Sequence, residues 1–161
     1  MRLYIAGPMT GYPKFNIPAF DDIALALRRL DHTVISPAEL DGYDVRQWLL
    51  KSEHGSPADY PPGFTWGDFL ARDVKTIADS SLTGVVVLPG WQKSRGARLE
   101  TFVARLAGLD VMRFYVLEER FSNVPTSELT TAWSGQSFYA KQGRVAYDKQ
   151  PLVSPLSVMT K

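Results

Sequence analysis

Short apolar runs alternate with amphipathic stretches along most of this chain. Arg2–Ala6 is an apolar run stopped by Gly7-Pro8, which predicts a buried strand. From Ile17 onward, apolar residues recur at Phe20, Ile23, Ala24, Leu27 and Leu30, the stripe of a helix. Asn16 is placed to cap that helix, and Pro18 sits in its first turn, where a missing N–H costs nothing. Arg28 and Arg29 at its far end suit the helix dipole. His32–Ser36 reads as a second strand, ended by Pro37, and Val45–Lys51 as a short helix. Gly55–Gly63 is rich in turn formers and predicts a loop placed to act as a lid. Thr65 can cap a helix running through Phe69, Val74 and Ile77. Gly84–Leu88, with three consecutive valines, is the clearest buried strand. A helix over 97–109 follows, with Leu99, Phe102, Val103, Leu106 and Ala107 expected inward, and Val111–Leu117 is a last strand.

Apolar strands alternating with helices argue a mainly parallel sheet covered on both faces. Right-handed crossovers make it a doubly wound α/β domain, with four strands legible directly. The domain is expected over 1–121. Over 122–161 the pattern fades into scattered Ser, Thr, Gly, Pro and Gln, interrupted by Trp133, Phe138, Tyr139 and Tyr147. That extension either docks on the body or a neighbouring subunit, or is flexible.

The 161 residues suit one domain, and 45% hydrophobic with 22% charged residues is ordinary globular usage. A net charge of +1 without a basic block points away from nucleic-acid polymers as partners. The absence of cysteine removes thiolate catalysis and disulfides, and fits a cytoplasmic location. His32 and His54 lack metal-ligand spacing, so no metal and no cofactor is expected. No stretch approaches the ~20 apolar residues of a membrane span.

In doubly wound sheets, ligands bind beyond the carboxyl ends of the strands, where strand order reverses. Two loops are expected there: Gly7-Pro8-Met9-Thr10-Gly11 after the first strand, and Pro89 to Gly96 after GVVVL. In the second loop, Gly90 and Gly96 permit close backbone approach, and Ser94, Lys93 and Arg95 offer donors. The helix that follows presents N–H groups suited to a phosphate. Glu100 stands about one turn into it, either as a reactive carboxylate or as a dipole-compensating surface residue. Tyr4 either packs in the core or reaches the site. Trp91 either stacks on a base or packs. By spacing, Asp68, Asp73 and Asp79 compete for a second acidic role.

The segments LYIAGPMTG, FNIPAF, ISPAE, DFLARDVKTIADSS and VVVLPGWQKSRGARLE together resemble the nucleoside 2-deoxyribosyltransferase superfamily, nearest to its 2'-deoxynucleoside 5'-monophosphate N-glycosidases. The resemblance covers roughly Met1 to Val116, and its most specific part is S-x-G-x-x-x-E at Ser94, Gly96 and Glu100. It implies a Rossmann-like, flavodoxin-type doubly wound parallel sheet of about five strands and a homodimer or larger homo-oligomer. It implies a Glu nucleophile in the helix after the fourth strand, here Glu100, and an Asp partner in the preceding helix, here Asp73. Where nucleoside transferases carry an Asp six positions before the Glu, this chain has Ser94, as the 5'-monophosphate hydrolases do. The implied substrate is therefore a nucleotide. Tyr4, Gly7, Pro8, Met9, Thr10, Gly11, Gly90, Trp91, Ser94 and Gly96 become the expected substrate and phosphate contacts. A neighbour's C-terminal segment often completes such sites, with Ser127 and Ser134 as candidates. Two rivals stay open: a ribonucleotide phosphoribohydrolase, whose P-G-G-x-G-T-x-x-E pattern this chain lacks, and a non-catalytic sensor of nucleotides or ADP-ribose-like ligands.

Overall fold

A computed structural model describes residues 1–79 and 81–134. Five strands, β1 (Arg2–Ala6), β2 (Thr33–Ile35), β3 (Gly84–Val87), β4 (Asp110–Tyr115) and β5 (Arg120–Asn123), form one sheet in the order β2-β1-β3-β4-β5. The helices are α1 (Ile17–Arg29), α2 (Gly42–Leu49), α3 (Trp66–Asp79), α4 (Arg95–Leu106) and α5 (Thr126–Trp133). β1 pairs in parallel with β2 and β3, and β3 in parallel with β4. The fold is a doubly wound, Rossmann-like α/β sheet. One departure from the expected pattern is β5, a strand that the hydrophobic pattern does not predict. It folds back antiparallel on β4, with Phe114 opposite Phe121.

Period-2 alternation splits β1 between two cores. Leu3 and Ile5 face Phe20, Ala24 and Leu27 of α1, while Tyr4 and Ala6 face Ile77, Ala97 and Ala104 of α3 and α4. All of these side chains are essentially inaccessible to water, and each larger one contributes about 1.5–3 kcal/mol by its burial. The order of strands reverses between β1 and β3, whose carboxyl ends lie side by side. The loops after Ala6 and after Val87 therefore meet at one place.

Residues 122–134 belong to the same packed unit. Val124, Leu129 and Ala132 join the core on the α4 side, and Trp133 Nε1 donates to Thr101 Oγ1 at 3.2 Å. A boundary after residue 121 would cut through β5. The remainder of the expected extension, residues 135–161 with Phe138, Tyr139 and Tyr147, lies outside the described residues.

α4 is turned from the orientation its apolar residues predict. Leu99, Phe102 and Leu106 are 39%, 41% and 74% exposed, and Ala107 is also exposed; of the five residues expected inward only Val103 is partly buried. The buried residues are Ala97, Arg98, Glu100, Thr101 and Ala104. Small residues among them let the helix lie close to the sheet, and the same rotation buries Glu100 beneath Tyr4. Asn16 is corrected too. It stands at the start of α1, but its Nδ2 donates to the Pro8 carbonyl at 2.8 Å instead of capping the helix.

Candidate active site

Beyond the carboxyl ends of β1 and β3 lies a narrow cleft with a cavity volume of about 70 Å³. Gly7, Met9, Thr10, Asp73, Ser94, Gly96 and Glu100 all line it. Three segments far apart in sequence thus converge where the topology predicts a ligand.

Glu100 is carried inward by the buried face of α4 and is only 5% exposed. Its Oε1 accepts from the Tyr4 hydroxyl at 3.2 Å, and its Oε2 has no hydrogen-bond partner among the described residues. Burial pushes its carboxyl well above the ordinary value, and the nearby charge of Asp73 pushes it further. Asp73 sits on the inward face of α3 and is 6% exposed. Burial raises its pKa as well, against the pull of the adjacent Arg72 guanidinium. Two buried carboxyl groups facing one cleft cannot both ionise cheaply, so a charge on Asp73 disfavours a second charge on Glu100. Tyr4 itself is fully buried, and burial places its hydroxyl pKa well above the ordinary value, so it remains a donor. It reaches the carboxylate and does not line the cleft.

Arg72 was not singled out by the sequence. Neighbouring helix positions do not normally face each other. Here Arg72 Nη2 nevertheless bonds Asp73 Oδ1 at 2.7 Å, because Arg72 Nη1 is held by Asp41 and Nη2 reaches the Pro37 carbonyl at 3.4 Å. Burial disfavours the guanidinium charge, but the two carboxylates outweigh it and hold its pKa above the ordinary value. Arg72 therefore keeps the Asp73 carboxylate in one orientation. Asp41→Asn is expected to lower stability by about 1–2 kcal/mol in chemical denaturation, since it removes one anchor of a partly buried cation.

The walls are aromatic. Phe15 stacks on Tyr60 at 5.3 Å, and Tyr60 meets Phe69 edge-on at 5.2 Å; all three line the cleft, with Trp66, Leu49, Leu70 and Pro37. Phe15 is held there by an unusual backbone. Lys14, Phe15 and Asn16 all have left-handed φ, from 50° to 59°, a conformation that costs non-glycine residues energy. Lys14 N–H to the Ser52 carbonyl at 2.7 Å and the Asn16 bond to Pro8 hold the strained turn in place. Gly55–Gly63, expected as a loop, lies over this wall. It is pinned by Tyr60 Oη to Thr10 Oγ1 at 3.1 Å and by Gly11 N–H to the Gly55 carbonyl at 2.8 Å. At Gly55, φ is +61° and an added Cβ would lie 2.1 Å from the Tyr12 carbonyl oxygen. Gly55→Ala is expected to cost about 1–3 kcal/mol in chemical denaturation and to displace Tyr60 from the cleft.

The remaining expected site residues divide. Pro8 and Gly90 line an adjoining cleft rather than this one. Gly11 lines neither, because the Gly55 carbonyl takes its N–H. Trp91 is corrected: it is 1% exposed and packs with Tyr4, Ala6 and Ala97 in the core, so it has no face for a base. Asp68 is occupied as the reciprocal partner of the Thr65 cap, accepting from Thr65 N at 2.7 Å and Oγ1 at 2.6 Å. Asp79 ends α3, and its side chain lies outside what the structure describes. Ser127 and Ser134 line neither cleft of this chain. Ser94 caps α4, its Oγ accepting from Ala97 N–H at 3.2 Å, which leaves its hydroxyl proton to donate into the cleft. The helix bearing Glu100 follows the third strand in chain order, not the fourth. No group of three or more His, Asp or Glu side chains among the described residues is arranged to hold a metal ion. No helix among them is long and apolar enough to cross a membrane.

Residues 1–113 match a family described as a domain of unknown function, DUF4406. The chain belongs to this family. The DUF4406 span takes in every residue of the cleft and ends inside β4, leaving β5 and α5 beyond it. No curated protein and no solved structure matches the chain.

Proposed function

We propose that this protein cleaves the N-glycosidic bond of a nucleoside 5'-monophosphate through a covalent sugar ester on Glu100. The observation that carries the reading is the buried pair Glu100 and Asp73, with Glu100 Oε2 unpartnered, in an aromatic cleft whose rim is Ser94 and Gly96. Aromatic walls suit a flat base, the start of α4 suits a phosphate, and the carboxyl pair lines the same cleft.

The chemistry needs one proton on the pair. Substrate entry leaves it on Asp73 and Glu100 ionised. An oxygen of Glu100 bonds to the anomeric carbon as the carbon–nitrogen bond breaks, its electrons leaving with the base. Asp73 delivers its proton to the departing base. Water then attacks the same carbon, its proton returns to Asp73, and Glu100 leaves as a carboxylate. A second base in place of water makes the reaction a transfer. Tyr4 donates to Glu100 Oε1 throughout and orients Oε2 for attack. Phosphate contacts at Ser94, Gly96, Gly7 and Thr10 fix the sugar against the carboxyl pair.

Self-association belongs to the same proposal, supported by the exposed strip of Leu99, Phe102 and Leu106 on α4. Light scattering on the eluted protein should give twice the chain mass, and a monomer at micromolar concentration would reject it. The activity is tested by chromatography after incubation with a mixed pool of ribo- and deoxyribonucleoside monophosphates. Free base should appear from the deoxynucleotides. Release from ribonucleotides alone would favour a phosphoribohydrolase, and tight binding without release would favour a sensor.

A further inference from the structure

A second cleft, with a cavity volume of about 270 Å³, adjoins the first and shares Thr10, Trp66, Ser94 and Gly96 with it. The two differ in chemistry. The first holds Asp41, Asp73 and Glu100; among the described residues lining the second none is acidic, and Lys93 and Arg95 flank Ser94 there. Arg95 is exposed yet not loosely placed, because its guanidinium lies over the Trp66 ring at 4.7 Å. Gly90, with φ of +80°, keeps the floor free of a side chain. A path therefore runs from the carboxyl pair, past Ser94, to two cations.

The proposed function puts the anomeric carbon at Glu100 and the 5'-phosphate at the rim shared by the two clefts. A monophosphate so placed ends at Ser94 and does not reach into the larger, cationic cleft. Resting on that placement, we infer that the second cleft receives a further phosphate, so that the preferred ligands are nucleoside 5'-diphosphates or diphosphate esters. Lys93 and Arg95 neutralise the added charge.

Titration calorimetry on the full chain tests this with a nucleoside monophosphate, the matching diphosphate and a diphosphate ester of the same nucleoside. The diphosphate should bind at least tenfold tighter than the monophosphate, and in Lys93→Ala/Arg95→Ala that ratio should fall towards one. Ester binding equal to the diphosphate assigns recognition to the shared diphosphate, and ester binding as weak as the monophosphate assigns it to a free terminal phosphate. A diphosphate that binds no tighter, or a double variant that weakens both nucleotides equally, overturns the inference. Base release followed in parallel keeps the two readings apart. A diphosphate preference without release from any nucleotide sinks the Glu100 chemistry and leaves the second cleft standing.

Discussion

Glu100→Gln should abolish base release and make the protein more stable. The substitution keeps an oxygen to accept from Tyr4 but removes the nucleophile, so kcat should fall by at least about 10³-fold. The gain in stability follows from linkage. The folded-state pKa of Glu100 lies above its unfolded value because burial and Asp73 disfavour its charge. Stability from such a group is fully present below the unfolded pKa and is lost as pH rises towards the folded one. The unfolded chain has released this proton by neutral pH, whereas the folded chain still holds it or bears a buried charge. Each unit of difference costs about 1.4 kcal/mol. Glutamine has no proton to lose, so the variant should be more stable at pH 7, with a higher melting temperature. The two proteins should converge near pH 4. Scanning calorimetry across pH reads this directly, and equal melting temperatures at pH 4 and pH 7 would contradict the burial of an ionisable Glu100.

Asp73→Asn should lower kcat by about 10²- to 10⁴-fold for ordinary bases, the range for losing a placed general acid. The loss should depend on the leaving group. A 7-methylguanine nucleotide carries a cationic base that departs without protonation, so Asp73→Asn should recover most of the wild-type burst of base release on it, while turnover, which needs Asp73 to take the proton of water, stays slow. Glu100→Gln should recover none. The pH profile gives a second reading. The wild-type rate should fall on the acid side as Glu100 takes a proton, and on the alkaline side as the pair loses its last one. Equal losses for Asp73→Asn on both substrates would remove Asp73 from the acid role and leave it a structural partner of Arg72.

Local signals in the sequence reach far into the fold and the cleft. GVVVL and Arg2–Ala6 lie at the sheet centre because apolar runs bounded by turn residues have nowhere else to go. Glu100, Asp73, Ser94, Gly96, Gly7, Met9 and Thr10 meet in one cleft because strand order reverses between β1 and β3. What escaped depends on tertiary contacts. The aromatic wall draws Phe15, Tyr60 and Phe69 from three separate segments, each unremarkable alone. Arg72 is a common residue on an amphipathic helix, and Asp41, which turns it towards Asp73, lies 31 positions earlier. β5, with the sequence RFSN, is too short and polar to announce a strand. α4 misled most. Counting apolar residues placed Leu99, Phe102 and Leu106 inward, whereas close approach to the sheet selects small ones, Ala97, Thr101 and Ala104. Gly11 and Trp91 sit beside the site in sequence, but a hydrogen bond to Gly55 and a place in the core respectively take them out of it.

The most direct test is peptide mass analysis of the protein after incubation with a 2'-fluoro deoxynucleotide. The electron-withdrawing fluorine destabilises the oxocarbenium-like transition state and slows release of a covalent intermediate. One sugar phosphate should be found on the peptide carrying Glu100, with one equivalent of free base. Base release with the label on another residue, or with unmodified protein throughout, would contradict a nucleophilic Glu100.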